Sequence, residues 1–393
     1  MMKPSLLSFF ICFSLVIVIL GSVVACGGTA SPSTPVQTTT PAQTSAPTTT
    51  SAPPSTSAAP TTTTPVQTSA PPASTTSAVK PIELSFASTS STSSEIHKHY
   101  ERLAEKIKSD SGGRLTVRIY PNNTLVSGPD MRKGLREGAA DMGSSAIYVV
   151  DPEFQVEVNL PQLILAKDTP TADKIYTALY DKYTDIFKNE WKSYKFLWMS
   201  PTLPTFLYTV NKPIRTMADM KGMQIRAPSK LVTDLVKSLG GTPVSMTMPD
   251  WIVSLDKNTT DGAATTTGTL PDFQVGTKLK YCTTFSFGTS MWYTAMNLNA
   301  YNKLSPDLKK VIDDSIAWGR DDEIKTWVTY NQSAMDYAKT SGVQIIDLSA
   351  EEKLRWEQAT QGVYNAIAND LNSKGYPGTQ FVGMARDLAK ANQ

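Results

Sequence analysis

A change of composition at residue 80 constrains this chain more than any single motif does. Residues 27–80 are nearly all Ser, Thr, Pro, Ala, Gly and Gln, and the first charged residue in this stretch is Lys80. A segment with so few large apolar side chains cannot bury enough surface to offset the entropy lost on ordering. We therefore predict that residues 26–80 form a disordered linker and that residues 81–393 form the folded part.

The first 25 residues have the pattern of an export signal. Lys3 gives a short basic start, and the run from Leu6 to Val24 is almost wholly apolar. This run ends in the sequence VVAC, where small residues stand directly before Cys26, as at lipoprotein cleavage sites. We predict that residues 1–25 are a lipoprotein signal peptide. Acyl chains on Cys26 would then hold the protein at the cell membrane, in the periplasm or on the outer face. The length of the apolar run leaves an uncleaved signal anchor, or a chance cysteine after an ordinary signal, as alternatives.

The folded part is large and electrically balanced. Residues 81–393 exceed the usual size of one hydrophobic core, so two lobes are expected. Lys3 and Lys80 precede this part, which leaves 35 basic residues against 35 acidic ones. A balanced domain has no bulk attraction to nucleic acid. Cys282 is the one cysteine of the folded part, so the sequence contains no disulfide framework.

Strand and helix patterns alternate along the folded part. Thr92 and Glu95 have capping-box spacing at the start of one helix, and Ser349 and Glu352 have it at the start of another. Alternation of this kind predicts α/β lobes with largely parallel sheets, in which ligands lie beyond the carboxyl ends of the strands. The predicted elements are strands at 82–86, 115–119, from 142, and at 206–210, 223–227 and 343–348, and helices at 96–107, 129–140, 229–239, 306–339 and after 349.

The sequence offers little for catalysis. His97 and His99 are two apart on a predicted helix, so they point to nearly opposite faces and suit a metal ion poorly. No phosphate-binding loop, GxSxG elbow or cysteine–histidine pair is evident. We predict a protein that is not an enzyme and that needs no metal and no cofactor.

Six phrases occur in order along the folded part: SGGRLTVRIYPNNTL, LREGAADMG, FQVEVNLPQLI, ADMKGMQIRAP, TDG and NKLSPDLKKVIDDS. Together they resemble the dicarboxylate-binding type of solute-binding subunit of tripartite ATP-independent periplasmic (TRAP) transporters, and the match runs from about residue 82 to the C-terminus. The resemblance implies a two-lobe α/β clam-shell, like other periplasmic binding proteins, with a long helix spanning both lobes. It also implies discontinuous lobes, one made of 81–203 with 291–330 and the other of 204–290 with 331–393.

The same resemblance implies a function. Members of the family bind small organic acids outside the cytoplasm and deliver them to separate membrane subunits that use an ion gradient rather than ATP. Two alternatives remain open on the sequence: a binding protein of an ABC-type transporter, and a lipoprotein that presents its ligand to a sensor.

Arg226 is the central candidate for ligand binding. On the strand MQIRA, Gln224 and Arg226 share one face while Ile225 and Ala227 share the other, so the pattern alone favours an arginine on the surface. The resemblance reverses this interpretation, because Arg226 falls on the arginine with which the family grips the substrate carboxylate. A guanidinium offers two parallel donors to one carboxylate.

The remaining candidates depend on the resemblance. Thr265 stands where the family usually supplies an asparagine to the carboxylate, and a threonine offers one donor instead of two. Phe206 and Val149 lie where members that bind sugar acids carry further arginines. The absence of that asparagine and of those arginines predicts a more apolar ligand, such as an aromatic, branched or keto acid. The positions that align with the cleft lining are Thr89, Tyr148 and Trp292.

Overall fold

The computed structural model of the chain describes residues 80–147 and 153–392. The predicted signal peptide, the predicted lipid-bearing Cys26 and residues 26–79 of the predicted linker lie outside the described residues. Within the described ranges, no helix combines the length and the apolar character that crossing a membrane requires.

The described residues contain ten strands, of which six overlap the predicted positions and four, at residues 242–297, were not predicted. The ten strands are β1 (Ile82–Ser88), β2 (Leu115–Tyr120), β3 (Met142–Ala146), β4 (Tyr194–Thr209), β5 (Gln224–Arg226), β6 (Thr242–Val244), β7 (Gly262–Thr266), β8 (Tyr281–Thr283), β9 (Thr289–Asn297) and β10 (Gln344–Ile346).

Thirteen α-helices lie in the same part of the chain. They are α1 (Glu95–Asp110), α2 (Met131–Glu137), α3 (Leu160–Leu163), α4 (Thr169–Lys182), α5 (Thr184–Glu190), α6 (Met217–Met220), α7 (Lys230–Ser238), α8 (Met248–Asp256), α9 (Thr269–Asp272), α10 (Leu298–Lys303), α11 (Pro306–Thr340), α12 (Ala350–Ser373) and α13 (Gly378–Ala391).

The strands form two sheets that share β4. The first has the order β2–β1–β3–β9–β4, and the second has the order β6–β5–β7–β4–β8–β10. Pairs within β1–β3 and within β5–β7 are parallel, as predicted. The prediction of largely parallel sheets is wrong at the centre, because β9 is antiparallel to β3 and β4, and β4 is antiparallel to β7 and β8. Of these long strands, β4 pairs in both sheets and so connects the two halves of the fold.

Strand β4 changes sheets in its middle. It pairs with β9 as far as Pro204 and with β7 from Thr205 onward, and its pairing register shifts between Pro201 and Pro204. Proline lacks a backbone N–H, so it interrupts a ladder of hydrogen bonds where it occurs. The two prolines also explain why the sequence pattern predicted only residues 206–210 of this strand.

Helix α11 joins the two halves of the fold. It packs against α1, whose residues belong to the core beneath the first sheet, and against α9, which follows β7 of the second sheet. Trp327 contributes to the first core and Ala338, three turns later, contributes to the core of the second sheet. The chain therefore has the predicted two-lobe α/β fold, with one long helix spanning both lobes.

Two helix starts test the predicted capping boxes. Ser349 caps α12 as predicted, because its hydroxyl accepts from the Glu352 N–H. The Thr92 prediction is wrong, because α1 begins at Glu95 and its cap is Ser94, whose hydroxyl accepts from the His97 N–H. The loop between β1 and α1 contains several serine and threonine residues that could cap the helix. The position of the apolar face of α1 decides between them.

Both histidines of α1 are buried against other elements. The Nδ1 atom of His99 lies 2.7 Å from Oδ2 of Asp322 on α11, and Nε2 of His97 lies 3.5 Å from Oε1 of Glu101. No group of three or more His, Cys, Asp or Glu side chains in the described ranges is arranged to hold a metal ion.

A buried carboxylate fastens α11 to β4. Glu323 is 0% exposed, and its side-chain oxygens accept from Trp198 Nε1 at 2.6 Å and from the Ser200 hydroxyl at 2.6 Å. Trp327 Nε1 donates to the same carboxylate at 3.3 Å. Each of these donors is buried or partly buried, so each depends on Glu323 for an acceptor.

Glu323→Ala is expected to lower the free energy of unfolding by roughly 2–6 kcal/mol, because at least two buried donors lose their acceptor at about 1–3 kcal/mol each. Urea denaturation followed by circular dichroism measures this change. Asp314→Ala alters an exposed carboxylate on the same helix and should change the free energy by less than about 0.5 kcal/mol. A Glu323→Ala protein with the wild-type denaturation midpoint would contradict the role given to this carboxylate.

Candidate ligand-binding site

Arg226 ends strand β5 of the second sheet, which lies between β6 and β7. Its parallel neighbours place it in register with Val244 on β6 and Ala263 on β7. The side chain is only 6% exposed, so the interpretation of a surface arginine, which the sequence pattern alone favoured, is wrong.

Arg226 is buried because both faces of the second sheet are covered by other elements. Ile225 and Ala264 pack into one apolar core with α7 and α12, while Ala263 and Trp251 belong to a separate core on the other face. Arg226 alternates with Ile225 along the strand, so it points to the second of these faces, beneath α8. Alternation distinguishes the two faces of a strand, but it does not show which of them meets water.

The Arg226 guanidinium has few partners at this buried position. Its Nε–H donates to the Met246 carbonyl at 3.2 Å, and its central carbon lies 5.8 Å from the centroid of the Trp251 ring. No carboxylate in residues 80–147 or 153–392 forms an ion pair with it. Burial lowers the pKa of Arg226, yet an arginine remains charged at neutral pH. This buried cation therefore has capacity to bind an anion.

Thr265 and Phe206 lie on the same face of the sheet as Arg226. Ala263 and Thr265 are two apart on β7, and Phe206 of β4 is in register with Thr265, so the side chains point in one direction. The Thr265 hydroxyl is 2.7 Å from that of Thr269 at the start of α9. The structure thus places three of the predicted residues around one patch of the second sheet.

A cleft of about 1020 Å³ opens between the two halves of the fold. One side is formed by the loop after β1, including Thr89, and by Trp292 of β9, and the other by the end of α9, including Phe273. Helix α11 lies along the cleft with Trp327 and Tyr330. Its volume is at the upper end of the usual range for small-molecule sites.

Aromatic rings form much of the cleft wall. The ring centroids of Trp292 and Trp327 are 5.6 Å apart and those of Trp327 and Tyr330 are 6.2 Å apart, both edge to face. Phe273 is 45% exposed, which is unusual for so large an apolar side chain. The apolar periodicity predicted the helix at 306–339 but did not single out Tyr330. The spacing of three residues between Trp327 and Tyr330 was the available signal, because it places both on one side of the helix.

The cleft also carries a few polar groups. The Thr89 hydroxyl is buried and has no hydrogen-bond partner among the described residues. Tyr330 donates its hydroxyl proton to Asp272, and burial raises the pKa of both the Asp272 carboxyl and the Tyr330 hydroxyl. The Asp272 carboxylate in the cleft wall repels a carboxylate of a ligand nearby. It favours instead a ligand group that donates a hydrogen bond.

The predicted site residues fall into two groups. Arg226, Thr265 and Phe206 share the face of the second sheet, while Thr89 and Trp292 line the cleft. Thr265 connects the groups, because its partner Thr269 begins the short helix whose end forms one side of the cleft. Tyr148 and Val149 lie outside the described residues.

Comparison with known proteins gives one family match. The DctP family model, described as bacterial extracellular solute-binding protein, family 7, matches residues 86–370. The chain is 23% identical over 276 residues to the C4-dicarboxylate-binding protein DctB of Bacillus subtilis strain 168, covering 67% of this chain and 75% of that protein.

Solved structures share the fold. One is a TRAP periplasmic solute-binding protein from Desulfovibrio salexigens in an open complex, with a TM-score of 0.70 and 24% identity over 78% of this chain and 95% of that one. Another is a marine metagenome TRAP solute-binding protein specific for aromatic acid ligands, in complex with metahydroxyphenylacetate. It has a TM-score of 0.68 and 25% identity over 79% of this chain and 99% of that one.

Replacing Arg226 by methionine tests whether its charge lacks a counter-charge in the folded protein. Arg226→Met is expected to keep or raise the free energy of unfolding of the ligand-free protein, by up to about 1–3 kcal/mol, because it removes a largely buried charge that forms no ion pair with a described residue. Chemical denaturation in the absence of organic acids measures the change.

Arg132 provides the matched control, because it is an equally buried arginine that forms an ion pair with Glu157 and lies 3.7 Å from the Phe154 ring centroid. Arg132→Met should lower the free energy of unfolding by about 3–5 kcal/mol, since a buried carboxylate loses its partner. Equal losses in the two variants would show that Arg226 is satisfied within the fold.

Proposed function

Because the chain belongs to the bacterial extracellular solute-binding protein family 7, we propose that it captures a small organic acid by pairing the acid's carboxylate with Arg226. The bound acid is then delivered to the membrane subunits of a TRAP-type transporter. The two lobes in this proposal are residues 81–203 with 291–330 and residues 204–290 with 331–393.

One observation carries the proposal. The Arg226 guanidinium is buried, and within the described residues it makes a single hydrogen bond and no ion pair. A guanidinium has five N–H donors in a planar fork that matches a carboxylate. An anionic ligand would supply the missing counter-charge and occupy donors that have no protein partner among the described residues.

An aromatic monocarboxylate is the ligand class that fits the surroundings best. Phe206 shares the face of Arg226, and Trp292, Trp327 and Phe273 give the cleft broad apolar walls. Asp272 disfavours a second carboxylate and would accept a hydrogen bond from a hydroxyl group on the ring. The similar marine metagenome protein is specific for aromatic acid ligands, which agrees with this choice.

Closure of the lobes follows from the charge pairing. The open form admits the acid to the cleft, and the contacts that the acid makes with both lobes favour the closed form. A ligand shifts such an equilibrium only by its difference in affinity for the two states. Groups from both lobes, Arg226 and Thr265 on one side and Thr89 and Trp292 on the other, supply this difference.

Attachment to a membrane completes the proposed arrangement. A diacylglycerol on Cys26 would hold the protein at the extracytoplasmic face of the membrane, since two acyl chains anchor stably where one does not. A flexible linker of residues 26–80 would separate the folded part from the membrane by roughly 40 Å on average.

Arg226→Ala is expected to weaken binding of the best acid by about 100- to 4000-fold, because a buried charge pair is worth about 3–5 kcal/mol when one partner is removed. A thermal-shift screen of aromatic monocarboxylates and of dicarboxylates first identifies that acid, and aromatic monocarboxylates should give the largest shifts. Isothermal titration calorimetry then measures the affinities. Arg215→Ala, which removes an exposed arginine, serves as the control and should bind normally. A loss smaller than fivefold in Arg226→Ala would refute the assignment.

Cys26→Ser is expected to move the protein from the membrane fraction to the soluble fraction, because the acylated sulfur atom is absent. Fractionation of the expressing cells, with intact-mass measurement of the purified protein, tests this. The wild-type mass should correspond to a chain that begins at residue 26 with added acyl groups. A wild-type chain that keeps residues 1–25 would instead establish a signal anchor.

A further inference from the structure

A second cavity lies away from the cleft, beside the two C-terminal helices. It has a volume of about 90 Å³, and its walls come from α12, α13, residues 165–167 and residues 284–286. None of its lining residues lines the cleft. One water needs about 10–15 Å³ of such space, so the cavity has room for a small molecule.

This cavity is lined by both apolar and cationic side chains. Leu165, Ala166, Phe285 and Ala389 supply apolar surface, and one carboxylate, that of Glu357, also lines it. Four cationic side chains line it as well, and none of the four forms an ion pair with a described residue: Lys167, Lys353, Arg386 and Lys390. The potential in the cavity is therefore positive, and low-dielectric walls strengthen it.

A buried hydroxyl group gives independent evidence of a missing ligand. Tyr364 lines the cavity, is 1% exposed, and its hydroxyl has no hydrogen-bond partner among the described residues. The central guanidinium carbon of Arg386 lies 5.2 Å from the Tyr364 ring centroid, so a positive charge stands beside the same ring. Buried hydroxyl groups nearly always have a partner, because an unsatisfied one destabilises the fold.

We propose that this cavity is a second binding site, which takes a small monocarboxylate. The carboxylate would lie among the cationic side chains and accept a hydrogen bond from Tyr364, and its short hydrocarbon part would contact Phe285 and Leu165. The limited volume excludes large acids, and the apolar walls disfavour an ion that is charged on every side. This site is separate from Arg226, and its existence does not depend on the function proposed for the cleft.

A ¹⁹F NMR titration with difluoroacetate, a small monocarboxylate, tests the proposal on the purified full-length chain. Saturable binding is expected in the wild type. Arg386→Gln combined with Lys390→Gln should weaken it at least tenfold, because two charges that line the cavity are removed. Tyr364→Phe should weaken it severalfold without lowering the unfolding temperature, since only the unpartnered hydroxyl is lost. Lys303→Gln, which changes an exposed lysine of α10, should bind like the wild type.

Arg226→Gln separates the two sites in the same titration. Binding that persists in Arg226→Gln and fails in the double variant supports the second site, whether or not Arg226 holds a ligand in the cleft. Binding that fails only in Arg226→Gln overturns the second site and leaves the proposed function standing. Wild-type affinity in the double variant or in Tyr364→Phe also overturns it, as does an absence of saturable binding to the wild type.

Discussion

The Arg226 guanidinium lies on a covered face of the second sheet, beneath α8, where little of the residue reaches water. Among the described residues it has one carbonyl acceptor and the face of Trp251 as partners, and no carboxylate. Burying a charge without a partner is among the most unfavourable steps a fold can include. The protein tolerates it because strand pairing on both sides fixes the position of β5. The same placement that leaves the charge without an internal ion pair is what makes Arg226 a candidate for binding an anion.

Two other buried charges, Glu323 and Arg132, differ from Arg226 because they have strong partners within the fold. Glu323 accepts from Trp198 and Ser200, and Arg132 pairs with Glu157 inside a group of aromatic rings. These groups fasten elements together, since each has a charged or hydrogen-bonding partner within the fold. Glu323 lies on α11 one turn before Trp327, so the contact that fixes the long helix against β4 also fixes part of the cleft wall. The packing that holds α11 against β4 therefore also positions Trp327, which lines the cleft.

The sequence predicted much of the fold and part of the candidate site. Periodicity located β1, β2, α7 and α11 closely, because their apolar residues repeat at the spacing of the element. It missed most of β4, whose two prolines resemble a loop, and it chose Thr92 over Ser94 as a cap in a loop rich in hydroxyl groups. Tyr330 and Asp272 were also missed, because their pairing joins α9 and α11, which are far apart in the sequence.

The sequence by itself determined the compositional boundary near residue 80, the α/β character and the family resemblance that pointed to Arg226. These properties depend on the identity and spacing of nearby residues, which the chain displays directly. Only the tertiary structure decided that Arg226 is buried, that Thr265 and Phe206 share its face, and that Trp327 and Tyr330 border the cleft. Burial and shared faces depend on which distant segments cover a strand, and alternation along one strand carries no information about its neighbours.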